Sequence, residues 1–228
     1  MNKTKKVLLQ NILKTIFIPI TVYLICEILS VAFCKEHLLA NMLSVNIFLK
    51  NVCILTLAAF ALSLNMTTGR MDFSLGAQQL FGCIVGGNFA LQLGLGIWGV
   101  FAFSILFGAI GGLLTGILFV NLRVPSMVLG IGVAMILECV TFALFSSGIQ
   151  YFGNDALTGI SGTGFHLVVT GLVVVLFVIL YGYTKFGYHY RAIRGKQRVA
   201  MSKGINVFKN CAICYMLAGA LISLSGVF

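Results

Sequence analysis

Charged residues are scarce in this chain, and acidic residues are the scarcest of all. Of 228 residues only 5 are Asp or Glu and 15 are Lys or Arg, so 9% are charged while 60% are hydrophobic. A soluble domain carries about 25% charged residues. So little polar surface argues against a soluble enzyme, a disordered regulator and a nucleic-acid-binding domain. The positive charges lie at the ends of long apolar runs, a pattern typical of integral membrane proteins.

Several chemical motifs are also missing from the sequence. Cys211 and Cys214 have the spacing of half a zinc site, but no second pair or histidine cluster completes it, so the cysteines are expected to pack as small hydrophobes. Gly195-Lys196 is followed by Gln197, where a nucleotide-binding P-loop requires Ser or Thr. The sequence has no Ser/His/Asp grouping and no HExxH motif. We therefore predict no catalytic residue, metal or cofactor in the chain itself.

The apolar runs predict an all-α integral membrane protein, a bundle of about seven transmembrane helices. A helix needs roughly 20 apolar residues to cross about 30 Å of hydrocarbon, and these runs are too long for barrel strands. The candidate spans are Thr15–Cys34, Val52–Leu64, Phe73–Leu91, Leu95–Val120, Ser126–Ser146, Leu167–Thr184 and Cys211–Phe228. The last run stops at Phe228 without a flanking charge, from which we expect further C-terminal spans to be missing.

The distribution of Lys and Arg predicts a multi-pass protein of the cell membrane with a cytoplasmic N-terminus. In that orientation all of the 15 Lys and Arg residues except Lys35 and Lys50 lie on the cytoplasmic side. The rule requires the short run Val52–Leu64 to cross, although it covers only about 20 Å as a helix. Either Asn46–Leu49 extend this helix, or it breaks partway and continues as irregular backbone.

The segment that follows the second run is the most polar part of the membrane region. Charges there are costly and usually face the bundle interior or an aqueous path. The candidate path residues are Asn65, Thr67, Thr68, Asp72 and Ser74. The alternative is a turn in which Asp72 is the N-cap of the third helix. The two interpretations are compatible, because a helix N-terminus that faces a cavity can serve a translocation path.

Two further segments indicate a compact bundle with a basic loop. Gly108, Gly112 and Gly116 form a ridge without side chains, which favours close packing within the chain over a dimer interface. The loop 185–210 is the most basic segment and contains no acidic residue. Within it we predict one short helix from Arg191 to Met201, which Gly204 ends.

Three segments, in this order, resemble motifs that occur together in one family. Residues 68–76, TGRMDFSLG, are similar to T-G-G-I-D-L-S-x-G. Residues 111–116, GGLLTG, and 122–125, LRVP, resemble G-x-x-N-G and L-x-V-P-P. Residues 184–207, TKFGYHYRAIRGKQRVAMSKGINV, follow T-x-x-G-x-x-x-x-A-I-G-G-N-x-x-A-A-x-x-S-G-I-N-V at nearly unbroken spacing. With these motifs the chain resembles the permease subunits of ATP-binding-cassette importers of the ribose, xylose and galactoside type, which are related to branched-chain amino acid permeases.

The resemblance implies a single transmembrane permease domain over residues 1–228 that imports a monosaccharide or similar small polar solute. The segment around Asp72 matches a broken membrane element near the translocation path. The basic loop matches a cytoplasmic coupling helix that docks on an ATPase subunit, with the coupling residues Arg191, Arg194, Gly195, Ala200 and Gly204. ATP would bind to partner ATPase subunits. A second permease subunit, as homodimer or heterodimer, an extracellular or periplasmic solute-binding protein and membrane lipid are the other implied partners, and nucleic acid is not.

Two alternatives stay open at the level of the sequence. Glu138 lies within an apolar run, so that a proton-coupled secondary transporter could use Glu138 and Asp72 as coupling carboxylates. The abrupt end at Phe228 raises the other alternative, a truncated and non-functional permease fragment.

Overall fold

The computed structural model describes residues 3–35, 37–67, 69, 71–122, 124–146, 162–195 and 197–228. These residues form α-helices and one π-helical turn. The elements are α1 (Lys3–Cys34), α2 (Met42–Thr67), α3 (Leu75–Leu80), the π turn (Phe81–Val85), α4 (Gly86–Gln92), α5 (Gly96–Leu122), α6 (Ser126–Leu144), α7 (Thr163–Tyr183), α8 (Lys185–Gly195), α9 (Gln197–Ser202) and α10 (Val207–Val227).

Six of these helices are long and apolar enough to cross a membrane, which confirms an all-α polytopic membrane protein. They cover Thr15–Phe33, Met42–Met66, Gly96–Leu122, Ser126–Leu144, Thr163–Tyr183 and Val207–Val227. The third predicted span, Phe73–Leu91, is helical from Leu75 onward, as α3, the π turn and α4 in succession. We call this stretch, residues 75–92, the π-containing helix. Whether it makes a seventh crossing stays a prediction.

The second helix is longer than its apolar core. α2 has 26 residues and is therefore about 39 Å long. Of the two alternatives for the short run Val52–Leu64, the extended helix is correct, because α2 continues without a break from Met42 to Thr67. The polar residues Asn46 and Lys50 of this extension lie at half-buried positions. The chain leaves the helix after Thr67, passes through Gly69 at a φ of 80°, and re-enters a helix at Leu75.

The chain divides into two compact units, Met1–Phe48 and Leu49–Phe228. In the first unit, the Glu27 carboxylate accepts the Leu38 N–H at 3.2 Å and lies 2.7 Å from the His37 Nδ1. The Glu27 carboxyl group, which lies in an apolar run, is thus paired with His37 of the same unit. The prediction of a single permease domain stays a prediction.

In the second unit, α10 is the helix with the largest buried share, and it packs mainly against α5 and the π-containing helix. The predicted glycine ridge makes this contact. A Cβ atom on Gly112 would collide with the Tyr215 carbonyl, and one on Gly116 would lie 2.9 Å from the Tyr215 Cβ. The Phe119 ring stacks on Tyr215 with ring centroids 5.0 Å apart. Packing of the glycine ridge within the chain is confirmed.

Candidate functional site

A buried polar cluster lies where the loop after α2 meets α3 and α5. Its members are no more than 5% exposed. We call this set the Asp72 cluster, and it consists of Asn65 on α2, Asp72 and Ser74 in the loop, Gln78 on α3 and Thr115 on α5. Buried polar groups require hydrogen-bond partners, so the connections within the cluster decide whether it is stable.

Asp72 accepts every hydrogen bond that it makes in this cluster. Its Oδ1 accepts from the Ser74 N–H at 2.9 Å and from the Ser74 hydroxyl at 2.6 Å. Its Oδ2 accepts from the Asn65 amide at 2.9 Å and more weakly from the Gln78 amide at 3.4 Å. An ionised carboxyl group only accepts hydrogen bonds, so four converging donors suit a carboxylate.

Gln78 connects the cluster to two further helices. Its side-chain amide donates to the Ser74 hydroxyl at 2.7 Å and reaches the Thr115 hydroxyl at 3.4 Å. Its backbone carbonyl accepts the Ser223 hydroxyl of α10 at 3.1 Å. The Gln78 Oε1 is buried and has no hydrogen-bond partner among the described residues. The cluster therefore holds α2, α3, α5 and α10 together, and the Gln78 Oε1 is an acceptor that no described residue uses.

Three of the five predicted path residues, Asn65, Asp72 and Ser74, are brought together in the cluster. Thr68 and the side chain of Thr67 lie outside the described residues. The interpretation of Asp72 as N-cap is wrong, because α3 begins at Leu75 and Ser74 occupies the N-cap position. Asp72 instead accepts the backbone N–H of that N-cap residue.

Sequence reasoning missed two members of the cluster. Gln78 lies one helical turn after Ser74 on the same face of α3, and a Gln in an otherwise apolar run was a usable signal. Thr115 lies within the glycine motif of α5, where it also donates to the Gly111 carbonyl at 2.8 Å. Nothing in its sequence position indicates that it faces Gln78. Glu138, the other candidate carboxyl group, lies at an exposed position of α6 and is not a member of the cluster.

A second candidate site is a depression of about 330 Å³ between α8 and α9. We call it the α8–α9 depression. Its lining residues are Tyr188, Arg191, Ala192, Gly195, Val199, Ala200, Lys203 and Ile205. The described lining residues include the cations Arg191 and Lys203 and no carboxylate, so the depression favours an acidic or amphipathic partner.

The end of α9 has the geometry of a Schellman C-cap. The Gly204 N–H donates to the Met201 carbonyl at 3.0 Å, and the Ile205 N–H donates to the Ala200 carbonyl at 3.1 Å. Gly204 has a φ of 78°, which is the left-handed conformation that this cap requires and that glycine adopts without strain. The prediction that Gly204 ends the helix is confirmed.

The predicted coupling residues do not all lie together. The predicted helix Arg191–Met201 falls on two described helices, α8 up to Gly195 and α9 from Gln197, and Lys196 lies outside the described residues. Arg191, Gly195 and Ala200 line the α8–α9 depression, whereas Arg194 lines a different groove. Ala200 is only 2% exposed. Its neighbours in the small apolar core of this region are Ile193, Val207 and Cys211.

Comparisons with known proteins place this chain among transporter components. The family described as "Branched-chain amino acid transport system / permease component" matches residues 44–228. A fructose import permease protein, FrcC of Rhizobium meliloti, is 24% identical over 201 residues, which cover 80% of this chain and 54% of that protein. An uncharacterized protein, MG121 of Mycoplasma genitalium, is 28% identical over 174 residues, or 63% of this chain and 57% of that protein. No solved structure matches the chain significantly.

Proposed function

The chain belongs to the permease-component family of branched-chain amino acid transport systems, and from this premise we propose that it is the membrane-spanning subunit of an ATP-binding-cassette importer. The observation that carries the proposal is the family match over residues 44–228, a region that contains both candidate sites. The family is a class of transporter component and not a class of enzyme. The chain spans about half the length of the curated relatives it matches.

The proposed cargo is a monosaccharide or a similar small polar solute. One of the relatives is named as a fructose import permease, which supports this class of solute. The Asp72 cluster also supports it, because a carboxylate, amides and hydroxyls are the groups that exchange hydrogen bonds with sugar hydroxyls. In the proposed cycle the α2–α3 loop lies beside the path, and Asp72 and Gln78 present acceptors when the bundle opens.

The α8–α9 region is the proposed contact with the ATPase subunits, on the cytoplasmic side. Val199 and Met201 are about half exposed and flank the buried Ala200, so that α9 presents apolar side chains outward while Ala200 anchors it. The basic lining of the α8–α9 depression, Arg191 and Lys203, would attract acidic groups on such a partner. A second permease subunit and an external solute-binding protein complete the proposed assembly.

Co-purification of the chain from native membranes tests this proposal. Tagged chain extracted in a mild detergent should retain an ATPase subunit that mass spectrometry identifies. Val199→Glu should release this subunit, because it places a charge on the exposed apolar face of α9, and Val199→Ile should retain it. Ala200→Arg is a poorer choice, since a buried position would destabilise the fold whatever its role.

The outcomes of this experiment separate the alternatives. An intact, abundant chain that retains no ATPase subunit would overturn the importer proposal. If Val199→Glu and Val199→Ile retain the ATPase subunit equally, the importer proposal stands, but α9 is not part of the contact with that subunit. Glu138→Gln should leave the pH dependence of uptake unchanged in an importer, because this carboxyl group is not part of the Asp72 cluster. A proton-coupled carrier that uses Glu138 should instead lose its pH dependence.

A further inference from the structure

A groove of about 260 Å³ lies between α2, α7 and α8, separate from both candidate sites. We call it the aromatic groove. The lining residues used below are Phe60, Phe177, Val178, Tyr181, Tyr190 and Arg194. Its rings contact one another in series, with centroids 5.0 Å apart for Phe60 and Phe177, 4.6 Å for Phe177 and Tyr181, and 4.7 Å for Tyr181 and Tyr190. Interlocked rings of this kind make a preformed apolar wall.

The groove is apolar at one end and cationic at the other. Phe177 and Val178 lie five to six residues before the end of α7 at Tyr183, which places them about 8 Å inside that apolar span. Arg194 lies in the last turn of α8, the amphipathic helix that follows α7 directly. Arg194 is exposed, as is Val178. The aromatic groove therefore leads from a guanidinium group into the hydrocarbon region.

Two hydroxyl groups lie between these ends of the groove. The Tyr190 hydroxyl donates to the Ser63 carbonyl at 3.2 Å. The Tyr181 hydroxyl is buried, and the Tyr181 ring packs against Tyr190. Arg194 is therefore the donor that a bound ligand meets, and the described lining residues include no carboxylate that would repel an anion.

We propose that the aromatic groove binds an anionic phospholipid of the bilayer. Arg194 holds the phosphate, and one acyl chain lies along Phe177 and Val178. A guanidinium group matches the geometry of a phosphate, and basic pockets beside membrane helices are known to recognise anionic headgroups. A soluble partner could not follow Phe177 and Val178 into the hydrocarbon, whereas a lipid is already there.

This inference goes beyond the proposed transport function and does not depend on the solute or the ATPase. It assigns Arg194 to the membrane, while Arg191 remains on the α8–α9 depression. The two arginines lie three residues apart on the same helix and are both exposed, yet only Arg194 lines the aromatic groove. They form a matched pair for an experiment.

The test uses the full chain in nanodiscs made of equal parts phosphatidylcholine and phosphatidylglycerol. After release into detergent, native mass spectrometry counts the lipids that each protein retains. We expect the wild-type chain to retain phosphatidylglycerol selectively. Arg194→Gln should lower this selectivity about fivefold, the equivalent of about 1 kcal/mol for one basic group at a membrane surface, and Arg191→Gln should not change it.

Two further arms test the groove itself. Val178→Trp fills the apolar end without altering charge and should also lower retention, while circular dichroism shows whether the helices persist. Millimolar inorganic phosphate should not displace the retained lipid. Equal losses in Arg191→Gln and Arg194→Gln, unchanged retention in Val178→Trp, or displacement by inorganic phosphate would each overturn the proposal. The first would indicate diffuse surface charge, the second an empty groove and the third a free-phosphate site.

Discussion

At the scale of single residues, the candidate path depends on one buried carboxyl group and its donors. Asp72 receives the Ser74 N–H and hydroxyl on one oxygen and the Asn65 and Gln78 amides on the other. Each donor is buried, so each has exchanged its hydrogen bond with water for one with Asp72. Removing the carboxyl group therefore costs more than one interaction, because several donors lose their partner together.

We predict that Asp72→Ala destabilises the chain by about 2–4 kcal/mol, since a buried donor without a partner costs about 1–3 kcal/mol. In detergent this should lower Tm by about 5–10 °C, a shift that a chain of this size shows for a loss of that order. Glu138→Gln is the matched control, because it removes a carboxylate at an exposed position and should stay within about 0.5 kcal/mol of wild type. Equal Tm values for Asp72→Ala and wild type would mean that the cluster contributes nothing to the fold.

Three of the five members of this cluster could be predicted from the sequence, for an identifiable physical reason. Asn65, Asp72 and Ser74 are polar residues beside an apolar run, and such residues in a membrane protein usually face the bundle interior and pair with one another. Thr115 is separated from Gln78 by most of two helices, and their contact depends on how α5 packs against α3. Tertiary packing of that kind leaves no local signal in a single sequence.

At the scale of helices, the contact between α5 and α10 depends on the absence of side chains. The Gly108 and Gly219 backbones approach so closely that a Cβ on Gly108 would lie 2.5 Å from the Gly219 carbonyl oxygen. Apolar side chains gain little from leaving lipid, so membrane helices associate through close van der Waals packing, which small residues permit. The close packing of α5 against α10 therefore requires glycine at the positions of this ridge.

We predict that Gly112→Ala separates α5 from α10 and destabilises the bundle by at least about 1–3 kcal/mol, because the new Cβ would meet the Tyr215 carbonyl. Gly132→Ala on α6 is the control, since a Cβ there meets nothing within 4 Å. Alanine is the better helix former by about 1 kcal/mol, so the control should be neutral or stabilising. Thermal unfolding of both variants in detergent measures the difference, and similar Tm values for the two would disprove the role of the ridge.

Helix existence was easier to predict from the sequence than helix length. The apolar runs identified each long helix, but the ends of α2 extend into polar residues because helical hydrogen bonding continues past the apolar core. The start of the basic helix was also missed, because α8 begins at Lys185 and not at the predicted Arg191. α8 buries Gly187, Tyr190 and Ile193 on one face, and this face is set by the core formed by α2 and α10.

At the scale of the whole molecule, the number of crossings depends on the π-containing helix. Its 18-residue length, read from Leu75 to Gln92, gives about 27 Å, close to the thickness of the hydrocarbon. Between Lys35 and Lys203 lie α2, this helix, α5, α6 and α7. If all five cross, the two lysines lie on opposite sides of the membrane, and if the π-containing helix does not cross, they lie on the same side.

Cysteine labelling from one side of the membrane decides between these arrangements. Both lysines are exposed, so Lys35→Cys and Lys203→Cys should react with a membrane-impermeant maleimide, and the unmodified chain gives the background from its own cysteines. We predict labelling of Lys203→Cys only in inside-out vesicles and of Lys35→Cys only in right-side-out vesicles. This outcome requires an odd number of crossings between the two positions, as when all five helices cross. If α1 and α10 also cross, the chain has the seven crossings and the cytoplasmic N-terminus that the charge distribution predicts. Labelling of both variants from the same side would instead make the π-containing helix a re-entrant element, which begins and ends on one side of the membrane.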